Sequence, residues 1–236
     1  MIPDAALIFV ACFAPSLAWL GYFYMKDEYE REPLHQLLFV FGAGMFAGPI
    51  SLLLFEGVES VPFYEDLTQL YLVNDIKKFL YAVFAVGIVE EVSKFLILWV
   101  FITYRHIEFD EPVDGVVYAA AVALGFATIE NWYFMSEVEG PVWSRAITLP
   151  FNHVLFSSFW GAALGIARYE RRNSLIIVKG LGLSIVFHGL YDYILFADSV
   201  PNWYVAPLVL VLWVWVSFAI RVLLNHSPYR PHQTQE

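Results

Sequence analysis

A succession of apolar runs constrains this chain more than any other feature, because each is about 20 residues long, the length an α-helix needs to cross the hydrocarbon core of a bilayer. They lie near residues 4–25, 35–56, 79–104, 112–135, 146–168, 174–197 and 203–224. Charged residues make up 15% of the chain, well below the roughly one-quarter of an ordinary soluble domain. The expected fold is all-α: a polytopic membrane helix bundle of about seven transmembrane helices, forming a single transmembrane domain over residues 1–225. The first run lacks a basic leader and continues for a full span, so it is read as a membrane helix rather than a cleaved signal peptide. Residues 57–76 are too polar to span, and Leu67, Leu70 and Tyr71 at helical spacing predict a helix lying in the interface. Residues 226–236 read as a disordered cytoplasmic tail.

With seven spans, Lys26, Arg31, Arg105, Arg168, Arg171, Arg172, Arg221 and Arg230 fall on one side, against Lys77, Lys78 and Arg145 on the other. The positive-inside rule then places the N-terminus outside and the C-terminus in the cytoplasm. The net charge of -10 offers no basic patch for a phosphate backbone and excludes nucleic acid as a partner. Cys12 is the single cysteine, so no intramolecular disulfide is available, and it is expected to pack against lipid or a neighbouring helix.

Polar side chains interrupt some of these spans and not others. Each ionisable group near a membrane helix centre costs about 2.5 to 3.5 kcal/mol to insert and therefore requires a partner or a purpose. The third span carries Glu90, Glu91 and Lys94 in "VEEVSKF"; the fourth carries Glu130 and Asn131; the fifth, Asn152 and His153; the sixth, His188 and Asp192. Gly180, Ser184, His188 and Asp192 recur every four residues, as do His153, Ser157, Gly161 and Gly165, so two helices each present a narrow stripe of small and polar groups. Gly161 and Gly165 form a GxxxG that permits close helix contact. With the topology above, these acids and imidazoles lie roughly 8 to 17 Å below the outer ends of their spans, at about 1.5 Å per residue. They converge on one layer in the outer half of the membrane.

Lys94 lies at helical spacing from both Glu90 and Glu91, so it can neutralise one carboxylate and leave the other to exchange protons. Two imidazoles and carboxylates from several helices can hold a divalent metal such as zinc, with Glu130, His153, His188 and Asp192 as candidate ligands, or can position water and an oxyanion directly. The residues alone leave both routes open, since neither a His-Glu-x-x-His nor a paired-Cys motif is present. Asp192, one turn after His188, is placed to orient its ring, and Asn131 to bridge helices. The acids of "MKDEYEREPLH" and "FDEPVDGVVY", among them Asp27, Glu32, Asp110 and Asp114, read as interface anchors and helix starts, with Pro112 suited to an early helical position.

The motifs "KDEYEREP", "EEVSKF", "FDEPVDGVVYAAAVALGFATIEN", "PFNH" followed by "GAALGIA", and "FHGLYD" occur in this order across residues 22–195. In order and spacing the set resembles the PrsW family of intramembrane proteases. That family is similar to the CAAX prenyl protease and bacteriocin-processing proteases, from which this chain departs by placing Lys94 one position early for their EExxxR and by reading FxxxE rather than FxxxH at Phe126 to Glu130. The resemblance implies Glu90 and Glu91 as the essential acidic pair, Glu130, His153 and His188 completing the catalytic site, and Lys94, Asn131 and Asp192 in support. It also implies a single-span membrane substrate, an anti-sigma factor among the candidates, cut near the extracytoplasmic face of a prokaryotic plasma membrane. The alternatives are a proton-coupled transporter, because intramembrane acids and histidines also build proton relays, and a CAAX-type prenyl or peptide processing protease.

Overall fold

The computed structural model describes residues 4–59, 74–104, 108–138, 140–169 and 174–231, and all of the regular structure among them is helical. In chain order the helices are α1 (Asp4–Lys26), α2 (Leu34–Gly44), α3 (Ala47–Glu59), α4 (Asp75–Tyr81), a π-helical segment (Ala82–Gly87), α5 (Ile88–Tyr104), α6 (Asp114–Glu137), α7 (Trp143–Tyr169), α8 (Leu175–Phe196), a 3-10 turn (Asn202–Tyr204) and α9 (Val205–Asn225). Five stretches are long and apolar enough to cross a membrane: Ala5–Lys26, Leu34–Val58, Asp114–Glu137, Leu175–Phe196 and Asn202–Asn225. The two remaining long helical stretches, residues 75–104 and Trp143–Tyr169, carry Glu90, Glu91, Lys94, Asn152 and His153. Polarity is thus concentrated where the sequence places its charged trio and first imidazole. Most of the interfacial helix expected near 57–76 lies outside the described residues.

At the centre stands α6. Every residue from Asp114 to Thr128 is buried, as expected of a helix apolar all round that is enclosed by others. α1, α2 and α7 pack on it, and α8 packs on the far side of α7. Small residues set these distances. A Cβ at Gly165 would lie 2.0 Å from the Pro112 carbonyl oxygen, and one at Gly115 would lie 2.2 Å from the Gly161 carbonyl oxygen. The GxxxG of α7 therefore brings two backbones together at the start of α6.

The span expected near 35–56 is present as one candidate crossing, Leu34–Val58, with a turn at Met45 and Phe46 between α2 and α3. This turn adjoins the docking of α2 on α6, where a Cβ at Gly125 would stand 2.0 Å from the Phe41 carbonyl oxygen and one at Gly44 2.3 Å from the Val122 carbonyl oxygen. The tail expected to be disordered from residue 226 has a defined path to residue 231. It is tied down by Tyr229, whose hydroxyl donates to Asp110 Oδ2 at 2.5 Å.

The π segment immediately precedes the charged trio. Its wider turn rotates the face of α5 relative to that of a continuous α-helix, a feature often found beside functional groups. Gly87 and Gly189 let this segment and α8 touch: a Cβ on Gly189 would lie 2.5 Å from Val83 Cα, and one on Gly87 would lie 2.6 Å from the Ile185 carbonyl oxygen. His188 is carried by this contact toward Glu90 and Glu91.

Overpacking a close helix contact costs about 1–3 kcal/mol, so Gly165→Ala is expected to lower the stability of detergent-solubilised protein by about that amount. Gly182→Ala, on the exposed face of α8 with nothing within 4 Å of its added Cβ, serves as the control and should leave the unfolding midpoint unchanged.

Candidate active site

α5 begins with the acids, and its second turn brings Lys94 back over them. Lys94 is fully buried. Its ammonium donates to Glu91 Oε1 at 2.8 Å and to His153 Nδ1 at 2.9 Å, and lies 4.1 Å from the centre of the Phe126 ring. Glu90 is farther away, at 3.5 Å.

The two glutamates are treated differently by their surroundings. Glu91 Oε1 also accepts from His188 Nδ1 at 2.9 Å, while Oε2 accepts from Ser157 Oγ at 2.8 Å and Trp160 Nε1 at 3.0 Å. Its lone pairs are thereby engaged by α5, α7 and α8. Glu90 Oε2 is buried with no hydrogen-bond partner among the described residues. The nearest polar atoms besides Lys94 Nζ include His188 Nε2, 3.6 Å away, beyond hydrogen-bond range.

The imidazole tautomers follow from these contacts. His188 donates through Nδ1 to Glu91, which leaves Nε2 3.6 Å from Glu90 Oε2 and 3.4 Å from Asp192 Oδ2. Asp192 Oδ2 is likewise buried and unpartnered. His153 receives the Lys94 proton on Nδ1 and donates through Nε2 to Glu130 Oε2 at 2.7 Å. Glu130 places its other oxygen 2.6 Å from the Arg145 guanidinium. The side chains of Arg145 and Glu130 are 28% and 30% exposed, against 0% for Glu91, so the cluster opens at its Arg145 end. Phe126 and Phe156 wall it, the former edge-on to His153 and the latter stacked on His188.

Two buried acids with unpartnered oxygens, both facing one imidazole nitrogen, are an arrangement for binding something and doing chemistry on it. Over residues 32–220 the chain matches the family described as PrsW family intramembrane metalloprotease. It is 34% identical to the Protease PrsW of Geobacillus kaustophilus, over 85% of this chain and 84% of that one, and 36% identical to the Protease PrsW of Bacillus subtilis, over 87% and 90%. It is 31% identical to the Protease PrsW of Clostridioides difficile, over 93% and 92%. The chain belongs to the PrsW family. No solved structure matches it significantly.

As a PrsW-family member the chain is a multi-pass membrane peptidase. Of the candidate residues read from the sequence, Glu90, Glu91, Lys94, Glu130, His153, His188 and Asp192 meet in one cluster. Asn131 does not join it: the side chain is buried, and neither amide atom has a partner among the described residues. The metal-ligand set also differs from the expected one. Glu90, His153 and His188 offer ligand atoms within 4.8 Å of one another, whereas Glu130 engages one oxygen with Arg145 and the other with His153. Arg145, Ser157 and Trp160 had no assigned role in the sequence reading. Arg145 precedes His153 by eight residues, about two turns of α7, and that spacing is the signal that would have placed it on the site face.

A second group of acids sits at the opposite end of α6. Burial, then the neighbouring Glu111 and Asp114 carboxylates, push Asp27 up to about 9; burial and Asp114 push Glu32 up to about 10. Asp114 Oδ2 accepts from the Glu111 N–H at 2.8 Å, reaching back past Pro112, which lies in the turn two residues before α6 rather than at the early helical position expected from the sequence.

Breaking a buried ion pair from one side costs about 3–5 kcal/mol. Glu91→Gln, which leaves the Lys94 ammonium without its anion, is therefore expected to lower stability by roughly that much, with Glu90→Gln costing under about 1 kcal/mol. Denaturant unfolding in bicelles followed by tryptophan fluorescence checks both; equal losses would contradict the division of roles.

Proposed function

We propose that this protein hydrolyses a peptide bond of a single-span membrane protein near the extracytoplasmic face of a prokaryotic plasma membrane, with Glu90 as the group that activates water. The observation that carries this reading is the contrast between the two glutamates: Glu91 accepts from Lys94, His188, Ser157 and Trp160, while Glu90 Oε2 accepts from nothing among the described residues. A water beside Glu90 Oε2 and His188 Nε2 loses its proton to Glu90 as it attacks the scissile carbonyl, and Glu90 returns that proton to the leaving amine. Arg145 stands at the open end with its Nε unpartnered, available to the carbonyl oxygen as negative charge develops there.

A divalent metal such as zinc fits the unpartnered oxygens of Glu90 and Asp192. Glu90, His153 and His188 would hold it, with Asp192 alongside, and its chemistry there is to activate water and polarise the carbonyl. His153 would first release one of its two hydrogen bonds, to Lys94 or to Glu130. That requirement favours a second reading, in which the glutamates and histidines act on water without a metal.

Seven crossings with the N-terminus outside, as read from the sequence, would put this cluster toward the outer face. The excess of Lys and Arg in the connections on the other side supports that orientation. A site enclosed among membrane helices supports a membrane-anchored substrate, and the sequence resemblance supports an anti-sigma factor.

Purified protein in liposomes is expected to cleave a single-span anti-sigma factor in its membrane-proximal outer segment. Glu90→Gln and His188→Asn should each lower the rate by at least about 100-fold while the protein stays folded by circular dichroism. Loss of cleavage with 1,10-phenanthroline and its return with zinc would establish the metal route, and insensitivity the metal-free one. Full activity of Glu90→Gln would refute the assignment of the water-activating group.

A further inference from the structure

The acids at the far end of α6 form a second site. Asp27, Glu32, Glu111 and Asp114 are each 0% exposed. Asp114 and Glu130 are separated by 16 residues of one helix, about 24 Å at about 1.5 Å per residue, so this cluster is distinct from the candidate active site.

Its hydrogen bonding is of one kind throughout. Asp27 uses Oδ2 to accept the Glu32 N–H at 3.2 Å, Asp114 uses Oδ2 to accept the N–H groups of Asp110 and Glu111, both at 2.8 Å, and Glu32 uses Oε2 to accept the Tyr118 hydroxyl at 2.5 Å. Each of these carboxylates is fixed by one oxygen. The other oxygens, Asp27 Oδ1, Asp114 Oδ1 and Glu32 Oε1, are buried without a partner among the described residues, and so are both oxygens of Glu111. Asp27, Glu111 and Asp114 each offer an oxygen within 4.8 Å of the other two.

No described Lys, Arg or His forms an ion pair with any of the four. Arg31, close in sequence, gives its Nε to the Asp27 backbone carbonyl, and Arg168 lies over the Phe109 ring. Four buried acids, three of them offering oxygens within 4.8 Å of one another, with no cationic side chain to balance them, are held either by protons or by positive charge from outside the chain. An all-oxygen donor set selects a hard cation over zinc or copper. Anchoring each ligand through its second oxygen is the arrangement that orients a carboxylate toward a metal.

We infer that Asp27, Glu111 and Asp114, with Glu32 beside them, bind a hard divalent cation of the magnesium, manganese and calcium class, which clamps the end of α1 to the start of α6. Both segments border the "KDEYEREP" and "FDEPVDG" motifs, whose acids thereby gain a role that helix starts alone do not require.

The test uses full-length protein in nanodiscs, stripped with EDTA and titrated with MnCl2, with bound Mn2+ read by electron paramagnetic resonance and magnesium or calcium chloride as competitor. One Mn2+ per chain is expected to bind at this cluster, displaced by the competitors. Glu111→Gln is the informative variant, since no N–H or hydroxyl group among the described residues donates to its side chain and its carboxyl neighbours Asp27 and Asp114 are themselves proposed ligands. It should weaken Mn2+ binding at least tenfold, whereas His188→Asn should leave this binding unchanged. As a check that needs no variant, millimolar magnesium, manganese or calcium should raise the unfolding temperature of the stripped wild-type protein. Binding unaffected by Glu111→Gln, or no bound Mn2+ and no thermal shift in the wild type, would overturn the inference.

Discussion

One buried ammonium organises the centre of this molecule. Lys94 lies where water is excluded, bonded to Glu91 and His153 and set against the face of Phe126, so it connects α5, α6 and α7 through a single charge. Its anion, Glu91, extends the connection to α8 through His188. A buried ion pair contributes little net stability when measured against an apolar replacement, but removal of either member leaves an uncompensated charge and is costly. Such a pair therefore acts mainly to specify how the helices meet. Here it fixes the faces that α5, α7 and α8 present to one another, and the partition of the two glutamates results from it.

The close approaches made by glycine let this polar centre form. Polar groups from four helices can share hydrogen bonds only where the backbones come within reach. The contacts at Gly161 and Gly165 against the start of α6, and at Gly87 and Gly189 between the π segment and α8, provide that proximity. Lipid offers no hydrophobic drive for helices to associate, so small residues and interhelical hydrogen bonds carry the packing. The stretch of α6 from Ala119 to Ala127, which carries no polar side chain, is buried throughout. The two ends of α6 then hold opposite kinds of site: one open toward Arg145 and combining acids with bases, the other closed and purely acidic.

Much of this was legible in the sequence, and for physical reasons. Intramembrane charge is expensive enough that Glu90, Glu91, Glu130, His153, His188 and Asp192 stand out by position alone, and the fourfold spacing of Gly180, Ser184, His188 and Asp192 marks the face on which α8 carries its polar groups. The π segment was not legible, because Ala82 to Gly87 is as compatible with an ordinary helix. The turn at Met45 and Phe46 adjoins the docking of α2 on α6, a tertiary contact that no local propensity reports. The roles of Trp160 and Ser157 as donors to Glu91 were hidden for a related reason: both residues commonly serve as packing groups, and their partner lies more than sixty positions away. The acidic loops read as surface anchors because sequence offers no sign that Asp27, Glu111 and Asp114 are all buried against one another.

Everything at the active centre turns on Lys94 belonging energetically to Glu91 and leaving Glu90 uncommitted. A pair of double-mutant cycles reads this directly, combining Lys94→Met with Glu91→Gln in one cycle and with Glu90→Gln in the other, each followed by reversible unfolding in bicelles. The expected coupling is about 2 kcal/mol or more between Lys94 and Glu91 and within about 0.5 kcal/mol of zero between Lys94 and Glu90. A larger coupling to Glu90 than to Glu91 would contradict the assignment.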